Sequence, residues 1–329
     1  MPSDPKVFFH GGIYLITTSV EEDFMFPPNP LVNELIRKCM AQAQALHSIT
    51  ICHHTLMTTH CHMLARIIDP QDAADFMERF KTESAHAINR LLGRKKRTVW
   101  CEGYDSPLLD HFDTIKKKIA YIYENPCKDG LVSSADLHPG VSTWRDFKNL
   151  TPRSSSKKRY ETRYIPRDAF QKLPDRELRE ADYERFRRKL IHGRKKNFFE
   201  VDMNDWMNRF GITDPEEQHE VNQSIIADVR EREAKHCAIR EEEGKSFLGR
   251  KKVVETRVGA QYQPEREGCK MLTHCEDKEF RVETIGWMKR LIAKGREVQE
   301  LWRQGDFSVP YPLGLFPPSG GRLAEPIGW

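Results

Sequence analysis

His60 and His62 flank a single residue in Thr55-Leu56-Met57-Thr58-Thr59-His60-Cys61-His62-Met63-Leu64, a β-branched and apolar run with the composition of a strand. Side chains alternate faces along a strand, so the two imidazoles share one face and Cys61 points to the other, into the core. Rooted ~7 Å apart on one sheet face, two imidazoles can share a metal ion. Further along, Ile115-Lys116-Lys117-Lys118-Ile119-Ala120-Tyr121-Ile122-Tyr123-Glu124-Asn125-Pro126 carries a second kind of chemistry. Phe112, Ile115, Ile119 and Ile122 recur at the spacing of an amphipathic helix, and at about 100° per residue Thr114, Lys118, Tyr121 and Asn125 fall on a different face. Tyr121 and Asn125 stand at i and i+4, one above the other. Pro126 disfavours helical geometry at Asn125, which predicts that the helix ends there. A tyrosine is a nucleophile only where its phenolate and its electrophile are both stabilised. A metal ion on His60, His62 and the amide oxygen of Asn125 would polarise a phosphate for such an attack. Alone, a His-x-His pair among 13 histidines or a tyrosine on an amphipathic helix is ordinary. The combination points to chemistry.

Taken in order, the motifs resemble those of the HUH single-tyrosine transposases, and within them the REP-associated tyrosine transposases. His-hydrophobic-His is followed by a helix carrying Tyr-Ile-x-x-Asn-Pro and then by Lys128-Asp129-Gly130-Leu131-Val132. Trp144, Asn89, the basic Arg94–Arg97 segment and Trp100 fit the same branch. So do the early run Tyr14-Leu15-Ile16-Thr17-Thr18-Ser19 and the segment Phe26-Pro27-Pro28-Asn29-Pro30-Leu31-Val32-Asn33. The likeness covers residues 8–150. It implies that His60, His62 and Asn125 are metal ligands for Mg2+ or Mn2+. Tyr121 would be the nucleophile that becomes joined to a DNA 5′-phosphate, and the DNA would be single-stranded and recognised beside a hairpin or palindrome. It further implies DNA transposition or recombination by a monomer or homodimer in a prokaryotic cytoplasm, on the nucleoid. Two positions depart from the pattern: Thr59 stands where the family usually has Asn, and Cys61 where a bulkier apolar residue is common. Neither removes a catalytic group, but both leave open a domesticated, non-cutting DNA-binding protein of the same fold.

Composition sets the wider class. A chain of 329 residues suffices for one large or two modest domains. With 38% hydrophobic and 31% charged residues, no long apolar run and no charged-then-apolar leader, neither a membrane span nor a signal peptide is expected. The 8 cysteines lack close paired spacing, which suits a reducing cytoplasm. Net charge is only +4, but the cations cluster at Arg94-Lys95-Lys96-Arg97, Lys116-Lys117-Lys118, Lys157–Arg159, Arg185–Lys189 and Arg194–Lys196. Such clusters release counterions from a phosphate backbone, although any one of them is commonly just a solvated face. The first two are the expected DNA contacts, and Lys116–Lys118 lies within two helical turns of Tyr121.

The elements that must hold these residues follow from periodicity. A first strand is expected over 8–20, a helix over 31–46, the His60 strand within 48–68 with room for a neighbouring one, a second helix over 72–92, a short strand or loop at Val99-Trp100, and then the tyrosine helix. This order predicts an α+β fold with a small antiparallel sheet, ferredoxin-like if the resemblance holds. The catalytic domain would span 1–150. Residues 151–329 would form a charged, mostly helical extension for DNA contacts or oligomerisation: a linker or loop over 149–164, helix-prone charge over 174–196, helices over 215–244 and 280–302, and a proline-rich tail. The 215–244 helix has so thin an apolar face that it needs a partner to pack on, or nucleic acid. Two other readings come from the same residues. Cys52-His53-His54 with His60-Cys61-His62 suggests structural zinc, which strand alternation disfavours by separating Cys61 from its neighbours. The charged C-terminal helices suggest an RNA-binding or scaffold protein.

Overall fold

The computed structural model describes residues 6–21, 24–95, 97–191, 196–261, 272–275 and 277–317. Its first part runs β1 (Gly12–Ser19), α1 (Pro30–Gln44), β2 (Ile49–Leu56), β3 (His60–Ile67), α2 (Pro70–Leu91), β4 (Leu108–Leu109) and α3 (Phe112–Lys128). Strands β2, β3, β1 and β4 lie side by side in that order and pair antiparallel. This is the split β-α-β arrangement expected from the sequence.

Alternation along the strands builds two cores. Tyr14, Ile16, Cys61, Met63, Ala65 and Ile67 pack on one face under α1 and α2, with Phe76 and Phe80 among the large side chains. Ile13, Leu15 and Leu64 pack on the other face with Ile115, Ile119 and Ile122 of α3. His62 is two residues from Leu64 and shares its face, so the strand period delivers the histidines to the tyrosine helix. Asn29 and Asp69 cap α1 and α2 through their side chains, and a proline opens each helix, its missing N–H falling where no helical partner exists.

Helix α3 does not stop at Asn125. It continues through Pro126 to Lys128, and the turn beyond is closed by Asp129 N–H to Asn125 O at 2.9 Å and Leu131 N–H to Pro126 O at 3.0 Å, with Gly130 at φ +70°. Proline in a helix costs one hydrogen bond and crowds the preceding turn. Here Pro126 and Cys127 are themselves buried, so packing of the last turn outweighs the local preference.

The remaining elements are α4 (Trp144–Phe147), β5 (Lys157–Arg163), α5 (Glu180–Leu190), β6 (Lys196–Asp202), α6 (Pro215–Glu242), α7 (Arg250–Glu255), β7 (Thr273–His274) and α8 (Lys278–Arg303). The C-terminal region is largely helical, and it also widens the same sheet on both edges. β6 joins β2 in parallel with β5 outside it, and β7 joins β4, giving seven strands in the order β5-β6-β2-β3-β1-β4-β7. Strand β5 falls where a linker was expected. Lys157, Arg159 and Glu161 are exposed, and such a charged edge strand lacks the apolar alternation that marks a strand in sequence. The helix-prone stretch over 174–196 yields only α5, Lys196 opens β6, and Arg194 lies outside the described residues.

Helix α6 finds its partner in α3. Its buried Asn222, Ile225, Val229 and Glu233 form one stripe. Beside them Arg232 Nη1 meets Glu124 Oε1 at 3.2 Å and His236 Nε2 meets Glu124 Oε2 at 3.2 Å. Only 6% of Glu124 is exposed, so Glu124→Ala would leave the Arg232 guanidinium half-buried without this partner. Because Arg232 is partly exposed and keeps Asp228 Oδ1 at 2.8 Å, the loss should cost about 1–2 kcal/mol, less than breaking a fully buried pair. The urea midpoint of Glu124→Ala should fall accordingly, and an unchanged midpoint would mean that the pair does not hold α6 to α3.

Candidate active site

Strand β3 presents His60 and His62 on the α3 face, their ring centroids 4.6 Å apart. The register sets Thr17 of β1 and Thr55 of β2 on either side of His62. Thr17 Oγ1 lies 2.9 Å from His62 Nδ1, and Thr59 Oγ1 lies 3.0 Å from His60 Nδ1. With each Nδ1 donating its hydrogen to a threonine oxygen, each Nε2 keeps a lone pair. That of His62 is buried without a hydrogen-bond partner. Burial is the main cause of a lowered pKa at both rings, to about 4 at His60 and well below the ordinary value at His62, where His60 and the ammonium groups of Lys128 and Lys118 add to the effect. Both imidazoles are therefore neutral at pH 7, the form that ligates metals. Thr59, one of the departures from the family pattern, supplies the outer contact that fixes the His60 ring.

Tyr121 approaches from α3. Its ring centroid is 5.3 Å from that of His62, with Lys118 Nζ 5.4 Å and Lys128 Nζ 4.8 Å from its own. Burial first, then Asp129, raises its phenol pKa, while a hydrogen bond from Asn125 works the other way. Asn125 is buried one turn on, its Nδ2 donating to the Tyr121 carbonyl at 2.5 Å. The neighbouring Tyr123 is differently placed. It is 1% exposed, faces the opposite side of α3, and its hydroxyl is held by His53 Nδ1 at 2.6 Å and Thr143 Oγ1 at 2.9 Å.

The structure thus brings His60, His62, Tyr121 and Lys118 into one chain of contacts, with Asn125 held against Tyr121 one turn along α3. Lys117 lines a cavity beside Tyr121, whereas Lys116 lies over Phe112, nearer the start of α3. Arg94 stacks on Phe24 at 4.8 Å on the α2 side of the sheet, with Lys95 and Arg97 exposed beside it; Lys96 lies outside the described residues. Sequence reasoning did not pick out Thr17 or Lys128 as parts of this site. Lys128 stands seven residues after Tyr121, two helical turns along the same face, a signal available in the sequence. Thr17 needed the β1–β3 register.

Cys52, His53 and His54 do not complete a zinc site. A register shift between Ile51 and His53 turns Cys52 and His53 toward the α3 core, while His54 packs on Phe199. Among the described residues no group of three or more His, Cys, Asp or Glu is placed to hold a metal ion; a site with an amide ligand is of a different kind. Burial holds the pKa of His53 and His54 to about 3 and that of His138 to about 4. As pH falls below the ordinary histidine value of 6.5, the unfolded chain takes up protons that these buried rings refuse. Stability from this source is intact above pH 6.5 and declines toward pH 4. Urea midpoints at pH 7.5, 6 and 5 should drop in that order, and a flat profile would contradict the burial of neutral rings.

Comparison with known proteins adds to this geometry. Residues 16–125 match the family model for IS200-like transposases. The matched span runs from within β1 to Asn125, so it contains both histidines and the tyrosine, and over it the chain is transposase-like. A solved structure titled "Structure of the REP associates tyrosine transposase bound to a REP hairpin" is similar with 16% sequence identity and a TM-score of 0.39, covering 45% of this chain and 86% of that one. No curated protein matches the chain. Among the described residues, no helix is long and apolar enough to cross a membrane.

Proposed function

We propose that the protein is a single-stranded DNA strand transferase with Tyr121 as nucleophile and His60, His62 and Asn125 as the ligands of a divalent cation, Mg2+ or Mn2+. The observation that carries this reading is the buried, unpartnered Nε2 of His62 beside the Tyr121 ring. An orphaned imidazole nitrogen costs free energy unless something occupies it, and its Nδ1 already has Thr17. The donor set of two neutral imidazoles and an amide oxygen fits a divalent ion with open positions for phosphate. When bound, the ion would neutralise and polarise the scissile phosphate.

The chain's own residues do the rest. Tyr121 Oη attacks the phosphorus as the phenol gives up its proton; the new O–P bond forms, the bond to the 3′ oxygen breaks, and that oxygen leaves as a hydroxyl. Lys118 and Lys128, over the ring of Tyr121, stabilise the phenolate as its charge develops. The product is a 5′-phosphotyrosine, which keeps the phosphodiester's energy, so a second 3′-hydroxyl can reverse the step on another strand without ATP. Lys116 and Lys117 extend the cationic face of α3 along the strand, and Arg94, Lys95 and Arg97 would contact DNA farther from the cut. The recognised DNA is a single strand beside a hairpin, an assignment that rests on the motif order around Tyr121 and on Lys128–Val132. Residues 1–150 would carry the chemistry and 151–329 the supporting contacts.

The test is a covalent-adduct assay. Labelled single-stranded DNA with candidate hairpins is incubated with the protein and Mn2+ or Mg2+ and run on a denaturing gel. A metal-dependent shifted band is expected. Tight binding with no adduct on any strand would instead favour the non-cutting DNA-binding protein.

A further inference from the structure

Beside Tyr121 the C-terminal region closes a cavity of about 280 Å³. Lys117, Lys118 and Tyr121 of α3 form one wall, and Arg232 of α6, His274 of β7 and Arg281 of α8 form the others. Among the described residues lining it there is no carboxylate. Four cations therefore converge on one small space from three helices. Arg232 is tied to Glu124 at 3.2 Å and to Asp228 at 2.8 Å, carboxylates outside the lining, and Arg281 Nη1 donates at 3.0 Å to the carbonyl of Cys275, itself a lining residue, so both guanidinium groups are held in place. Burial, and then the charges of Arg232 and Lys128, lower the pKa of Lys118. Like charges drawn together cost free energy that an anion between them would remove. The volume is near the lower end for a small-ligand pocket, about 300 Å³, and has room for a phosphodiester group with part of its sugar.

We infer that this cavity is a phosphate subsite for the cleaved strand, holding a backbone phosphate next to the one that Tyr121 attacks, with Arg232 and Arg281 as positioning residues. The inference rests on the strand-transfer reading and extends it, because it assigns the C-terminal region a direct part in placing the substrate. A strand whose scissile phosphate sits at Tyr121 must run on past the residue that also lines the cavity. Guanidinium groups suit the task because their fork geometry pairs two phosphate oxygens at once.

The test uses the full-length protein and the variants Arg281→Gln, Lys117→Gln and Arg281→Lys. Binding to fluorescent single-stranded DNA is measured by anisotropy across a range of NaCl, and adduct formation is timed at saturating DNA. Arg281→Gln and Lys117→Gln should each bind several-fold more weakly, with the slope of log affinity against log salt smaller by about 1. Arg281→Gln should also slow adduct formation at saturation, and Arg281→Lys should restore the salt slope but not the full rate. Unchanged slopes and rates in both Gln variants, at unchanged thermal midpoints, would overturn the subsite. If the parent forms no adduct, the strand-transfer reading fails separately, and the salt slopes alone still decide whether the cavity takes a backbone phosphate.

Discussion

Tyr121→Phe is expected to form no covalent DNA adduct while keeping its affinity for DNA. The substitution removes one oxygen and leaves the ring where it is, beside His62 and under the ammonium groups of Lys118 and Lys128. Losing the hydroxyl removes one bond to the buried Asn125, whose Nδ2 keeps the Tyr121 carbonyl as an acceptor, so stability should hardly change. Loss of the nucleophile itself should lower strand cleavage by roughly 10⁴-fold or more. The contrast with Tyr123→Phe sharpens the result. Tyr123 is sealed inside the protein with its hydroxyl between His53 and Thr143, so that substitution should reduce stability and leave cleavage intact. Denaturing gels read one effect and urea midpoints the other. A Tyr121→Phe protein that still forms the adduct would remove this tyrosine from the chemistry.

The second large effect is expected at His62. Replacing it with Ala deletes the orphaned Nε2 and should cut metal-dependent cleavage by at least ~10²-fold, more than is usual for an outer-contact change. Thr17→Val keeps the shape of the neighbour but removes the oxygen that orients the ring, and should cost about 10-fold to 100-fold in metal affinity. Calorimetric titration with Mn2+ gives an independent readout: heat of binding in the parent, weaker binding in Thr17→Val, and none in His62→Ala. If His62→Ala bound Mn2+ like the parent, the histidine pair would not be the metal site.

Much of this arrangement was legible in the sequence because it rests on short periods. The two-residue period of a strand aims His60 and His62 the same way, and the turn of a helix stacks Asn125 on Tyr121. The strand–helix–strand–helix order followed from apolar spacing, but the strand before α3 is Leu108–Leu109, while Trp100, in the short strand or loop expected at Val99-Trp100, forms only an isolated bridge to Val20. What escaped notice depends on long-range pairing. Thr17 reaches His62 only through the β1–β3 register, and Arg232, His274 and Arg281 reach Tyr121 only because α6, β7 and α8 fold back over α3. Strand β5 was hidden by its charge, since exposed Lys157, Arg159 and Glu161 look like a solvated linker until their partner strand is known. At Pro126 a sound local rule gave way to tertiary packing of the last helical turn.

Strand transfer by this protein would require Tyr121 to become covalently joined to DNA. The most direct measurement is tandem mass spectrometry of a tryptic digest of the adduct after nuclease trimming. A residual nucleotide phosphate is expected on Tyr121, within the peptide spanning residues 119–128. The same mass located on Tyr123, or on a peptide from elsewhere in the chain, would contradict it.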